Sequence, residues 1–110
     1  MPYNEDIEAR IVKIVSGWKS TDAKKMFGGV CHVLKGNMFC GVYKDYLILR
    51  LGEKGAGQAL RSKYTHPFDI TGKPMKGWVM IEQKGFEGDE LLSEWLNEAK
   101  EFAEALPPKK

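Results

Sequence analysis

Residues 30–51 read VCHVLKGNMFCGVYKDYLILRL. Three short runs of β-branched, aromatic and aliphatic residues are separated by Gly36-Asn37 and Lys44-Asp45, the pattern of an antiparallel meander joined by two-residue turns. Gly36 and Asn37 both tolerate positive φ, so they are expected to form the first loop. Counting outward from it, Lys35 faces Met38, Val33 faces Cys40 and Cys31 faces Val42. Across Lys44-Asp45, Cys40 faces Leu49 and Val42 faces Leu47. Because side chains alternate along a strand, one sheet face then carries Cys31, Val33, Met38, Cys40, Val42, Leu47, Leu49 and Leu51. This apolar face is the expected core. The other face carries His32, Leu34, Phe39, Gly41, Tyr43, Tyr46, Ile48 and Arg50, too polar for a main core and too aromatic for an ordinary solvent face.

On the N-terminal side, Lys24 to Phe27 reads as another strand, separated from the meander by a bend or bulge at Gly28-Gly29. Before it, Ile7, Ile11, Ile14, Val15 and Trp18 fall at helical spacing. Asn4 is placed to cap that helix, and Glu5 and Asp6 suit its positive end. On the C-terminal side, Gly52 to Lys63 reads as a glycine-rich turn into a short helix over residues 59–63, since Gly55 and Gly57 argue against a longer one. Tyr64 to Lys76, with His66-Pro67 and Lys73-Pro74, reads as an ordered loop, and Gly77 to Gln83 as a further strand. Asp89 is expected to cap a last helix with Leu92, Trp95, Leu96, Ala99, Phe102, Ala103 and Leu106 on its apolar face. Pro107-Pro108 ends it, and Lys109-Lys110 forms a tail. The expectation is an α+β two-layer sandwich: an antiparallel sheet of about five strands with the N- and C-terminal helices packed on one face.

The 110 residues suit one domain spanning the chain, with 43% hydrophobic and 29% charged residues, far from the signature of disorder. Seventeen basic and fifteen acidic residues leave a formal charge of +2, too little to announce nucleic acid or an anionic membrane. The N-terminus lacks the basic start and apolar run of a signal peptide, and no segment approaches the length of a membrane span, so a cytoplasmic protein is expected. Cys31 and Cys40 are then reduced thiols.

No catalytic, metal or cofactor constellation emerges. Cys31, His32 and Cys40 cannot converge on one zinc ion, because adjacent strand residues point to opposite faces. As diagonal neighbours about 7 Å apart, the two cysteines are poorly placed for a disulfide, and two small buried thiols are the simpler reading. A nucleophilic cysteine would need a nearby base, yet His32 is expected to point away from both thiols and His66 lies in a remote loop. Glu94, Glu98 and Glu101 read as a solvated helix face. Gly52 to Gly57 has the outer glycine spacing of a phosphate cradle, but Gln58 and Ala59 stand where the phosphate-binding Lys and the metal-binding Ser or Thr belong. A strand-to-helix turn is expected instead.

Lys25-Met26-Phe27-Gly28-Gly29, Gly36-Asn37-Met38 with Gly41, Tyr46-Leu47-Ile48-Leu49-Arg50, Pro67-Phe68, Pro74-Met75-Lys76-Gly77-Trp78 and Leu106-Pro107-Pro108 occur in order along nearly the whole chain. Together they resemble the N-terminal domain of the TfoX/Sxy family. The resemblance implies a two-layer α+β fold, a bacterial cytoplasmic setting and a relation to regulators of natural competence. It carries over no catalytic residues. In the full-length regulators a second, C-terminal domain follows this one.

The expected function is therefore regulatory or protein-binding, with a protein partner or a second copy of the chain meeting the aromatic sheet face. The alternative is a small anion- or nucleic-acid-binding protein in which cations interleave with aromatic rings. The binding residues expected across these two readings are Lys25, Phe39, Tyr43, Tyr46, Arg50, Lys76 and Trp78.

Overall fold

A computed structural model describes residues 3–26, 29–69 and 76–107, with the backbone alone described at Met26. Phe27, Gly28, the Lys73-Pro74 portion of the expected loop, Pro108 and the Lys109-Lys110 tail lie outside the described residues.

Helix α1 spans Glu5–Val15, and Asn4 caps it as its position predicts: the side-chain oxygen accepts from the backbone N–H groups of Asp6 at 2.9 Å and Ile7 at 3.3 Å. Four strands follow, β1 (Thr21–Met26), β2 (Gly29–Leu34), β3 (Asn37–Tyr43) and β4 (Tyr46–Arg50). After α2 (Gly52–Ala59) come β5 (Thr65–Pro67) and β6 (Trp78–Ile81), then a single 3₁₀ turn over Gln83–Phe86 and α3 (Asp89–Glu104). The six strands form one antiparallel sheet in the order β1-β2-β3-β4-β6-β5.

All three helices pack on one face of this sheet. Ile7, Ile11 and Val15 of α1, Ala56 and Ala59 of α2, and Leu92, Leu96, Ala99 and Ala103 of α3 join one core with Cys40, Val42, Leu47, Leu49, Val79 and Ile81. The expected two-layer α+β sandwich is the observed fold. Arg10 fastens α1 to the start of α3. Its Nη2 donates to the carbonyls of Phe86 at 2.6 Å and Glu87 at 3.1 Å, its Nε donates to Asp89 at 3.2 Å, and its guanidinium lies over the Phe86 ring. Asp89 therefore serves this tie, while Gly88 occupies the cap position of α3 without a side-chain bond.

The β2–β3 register departs from the expected one. The loop is Lys35-Gly36, with φ of 51° and 84°, so Leu34 faces Asn37 and Val33 faces Met38. Positive φ at both central residues is the signature of a type I′ turn, for which Gly36 is well suited. Asn37 is left free to donate its side-chain amide to the Pro107 carbonyl at 2.8 Å, tying the hairpin to the chain beyond α3. A β-bulge then shifts the ladder, and His32 faces Cys40, Cys31 faces Gly41 and Val30 faces Val42.

As a result Val30, His32 and Leu34 point to the helices, where Cys31 and Val33 were expected. Phe39, the extra residue of the bulge, turns into the core with 0% exposure and packs near the rings of Trp18 and His32. Cys40, Val42, Leu47 and Leu49 are inward as expected, because the β3–β4 turn does lie at Lys44-Asp45 and pairs Tyr43 with Tyr46.

Two further differences concern the middle of the chain. Helix α2 occupies the glycine-rich stretch itself and ends where the expected helix began. Ala56 and Ala59 are buried in the shared core, where their small side chains let the helix lie close to the sheet, and a Cβ on Gly55 would stand 3.0 Å from that of Leu51, the residue before the helix. Packing overrides the low intrinsic helix propensity of glycine here. The sixth strand is β5, three residues long at the sheet edge with Pro67 at its end, where a missing N–H costs no ladder bond.

Candidate functional site

The sheet face away from the helices draws side chains from five strands, β2 to β6. Register places Arg50 opposite Trp78, Ile48 opposite Gly41 and Met80, Tyr43 opposite Tyr46, and Met80 opposite His66. Ile48, Cys31 and Val33 are buried on this face, yet they stand outside the cluster formed with the helices. Around them Met38, Tyr43, Tyr46, Arg50, Trp78 and Met80 are half-buried. The result is a small apolar centre ringed by aromatic and thioether side chains with polar or cationic tips. Such groups offer contact area, ring stacking and adaptable packing.

Tyr43, Tyr46, Arg50 and Trp78 thus share this face as their alternation predicts. Phe39 does not join them, because the bulge sends it into the core. Lys25 is exposed on β1, opposite Val30, which places it on the helix side of the sheet and three strands away from Arg50, a lateral separation of about 14 Å. Lys76 is exposed just before β6, at the end of the sheet where Arg50 and Trp78 pair. The Arg50 guanidinium lies 5.6 Å from the ring centres of both Trp78 and Phe102, so its charge already rests against two π faces.

Met38, Met80, His66 and Glu82 also lie on this face; alternation along Gly77 to Gln83 sets Met80 and Glu82 beside Trp78, whereas Met38 and His66 were not expected here. The ring nitrogen of His66 is hydrogen-bonded to Glu82. Met38 was expected inward and the bulge turns it out. His66 was hidden by a strand too short to show alternation.

The chemistry beneath this face is quiet. His32 lies on the Cys40 side of the sheet, directly across from it, contrary to the expectation that it points away from both thiols. Its Nε2 meets Glu8 Oε1 of α1 at 2.8 Å, a pair that places a polar bridge between helix and sheet. Cys31 faces the other way, so the two cysteines do not share a face. Burial, with the Glu8 charge adding to it, pushes the Cys31 thiol up to about 11 and holds Cys40 well above the usual thiol range. A thiol that resists ionisation is a poor nucleophile. Among the described residues no group of three His, Cys, Asp or Glu side chains comes together to hold a metal.

At the start of α2 the backbone N–H groups of Leu51 and Gly52 both donate to the Gly77 carbonyl, at 2.8 and 3.1 Å. Donors that a phosphate cradle would leave open are thereby occupied. Along α3, Leu91, Trp95, Asn97, Glu94, Glu98 and Glu101 line a shallow recess of about 510 Å³. Partial withdrawal from water and the nearby Glu101 and Glu94 charges raise the Glu98 pKa. Among the described residues no helix is long and apolar enough to cross a membrane.

Neither the curated proteins nor the solved structures contain a match to the chain. The family model of the TfoX N-terminal domain does match, over residues 13–103, from the end of α1 to the last turn of α3. That span takes in the entire sheet and the ring of side chains on its far face, and the chain accordingly belongs to the TfoX N-terminal domain family.

Proposed function

We propose that this domain is a protein-interaction module in bacterial regulation, related to the control of competence, and that its partner docks on the sheet face away from the helices. The observation that carries this reading is the ring of half-buried Tyr43, Tyr46, Trp78, Arg50, Met38 and Met80 around buried Ile48. Aromatic residues, methionine and arginine are the side chains enriched at protein interfaces, and here they are gathered on the face away from the main core, with Phe68 beside Trp78 and Arg50 reaching Phe102 of α3 at one end. A cytoplasmic setting fits the two buried, reduced thiols. The alternative of an anion or nucleic-acid site loses support, since Lys25 and Phe39 stand apart from Arg50 and the Arg50 charge is engaged by two rings.

The test is affinity capture from bacterial cytosol with the wild-type chain and with a Tyr46→Ala/Arg50→Ala double variant, both checked by thermal melting. A protein retained by the wild type and lost from the folded variant supports the reading. Identical captures by both, or retention of nucleic acid that vanishes as salt is raised, would overturn it.

A further inference from the structure

Strand β1 ends the sheet on one side, and among the described residues nothing pairs with its outer edge. The backbone groups on that edge can be assigned. The Ser20 carbonyl accepts from the Lys35 N–H at 2.9 Å, so it points toward the neighbouring hairpin. Peptide groups alternate along a strand, hence Thr21, Ala23 and Lys25 turn their N–H and C=O groups outward. An unpaired row of this kind is a template for another strand.

The side chains indicate which strand fits. Two copies of one edge related by a two-fold axis run antiparallel, and the axis stands perpendicular to the sheet. Such a pair can be centred only on a residue facing its own copy. Centring on Asp22 or on Lys24 sets like charges face to face. Centring on Ala23 places Asp22 opposite Lys24 of the second copy on both sides of the axis, with Thr21 opposite Lys25, and the outward-facing residues coincide with the hydrogen-bonded positions. Asp22, Ala23, Lys24 and Lys25 are all exposed, which leaves these side chains open to a second strand.

From this match of charge and hydrogen-bond phase, we propose that the chain forms a two-fold homodimer through β1, centred on Ala23, which joins two six-stranded sheets into one. The helices of both copies then lie on the same side of the joined sheet, and the aromatic faces lie together on the other.

The experiment is sedimentation equilibrium of the full chain across a concentration series. A dimer is expected for the wild type. Asp22→Lys and Lys24→Asp, each alone, convert two opposite-charge pairs into like-charge pairs and should weaken the dimer roughly tenfold or more, while the double variant restores it. Ala23→Pro removes only an outward N–H, leaves the β2 ladder intact and should give a folded monomer. A wild type that stays monomeric at every concentration overturns the proposal, as expected if the edge lysines serve to repel other strands. So does a double variant no tighter than the single ones, or a dimer that survives all these changes and is lost instead with Tyr46→Ala.

Discussion

His32 lies directly opposite Cys40 in the β2–β3 hairpin, one position away from where an unbroken hairpin closed at Gly36-Asn37 would bring Val33. That one-residue difference exchanges the two faces of β2 and moves Phe39 from the sheet surface to the core.

The register can be measured through its two neighbouring side chains. Phe39 is fully buried and Met38 half-buried on the other face. Phe39→Ala should cost about 3–5 kcal/mol in urea unfolding, whereas Met38→Ala should cost roughly 1 kcal/mol. Equal costs would contradict the bulge.

Arg10 ties α1 to the Phe86–Asp89 junction through three hydrogen bonds and the Phe86 ring. Truncation leaves the Phe86 and Glu87 carbonyls without this donor. Arg10→Ala should lower stability by about 2 kcal/mol, and Arg10→Lys should recover only part of it, since an ammonium lacks the planar fork. Thermal and urea melts of the three proteins provide the comparison.

Gly52 combines a φ of 80° with the Phe102 ring so close that an added Cβ would stand 2.6 Å from it. Gly52→Ala therefore meets both backbone strain and a clash and should destabilise by about 2 kcal/mol or more. A Gly57→Ala variant provides the contrast, because open space surrounds that position and alanine favours the helix. Its stability should equal or exceed that of the wild type.

Both thiols bind their protons more tightly in the folded chain than in the unfolded one, where the thiol pKa is about 8.5. Their contribution to stability is whole below that value and declines as pH rises from there toward 11, the folded value for Cys31. Alkylation by iodoacetamide should be slow at neutral pH for both, faster for Cys31 as pH approaches 11, and complete only in denaturant. Rapid labelling of native protein at pH 7 would contradict this burial.

The terminal helices, the strands of the meander, the turn at Lys44-Asp45 and the inward set Cys40, Val42, Leu47 and Leu49 are legible along the chain. Each rests on a local pattern of residues, and from Cys40 onward the alternation of β3 and β4 survives unchanged in the fold. Tyr43, Tyr46, Arg50 and Trp78 follow from the same alternation. The bulge at Phe39, the helix through Gly52–Ala59 and strand β5 were decided by tertiary structure. Each sets aside a local preference for contacts made far along the chain: Phe39 against Trp18, Ala56 and Ala59 against the sheet, and Thr65 across from Ile81. Alternation reports which side of a segment is buried but cannot register an inserted residue whose side chain is held by partners distant in the sequence, as Trp18 is from Phe39.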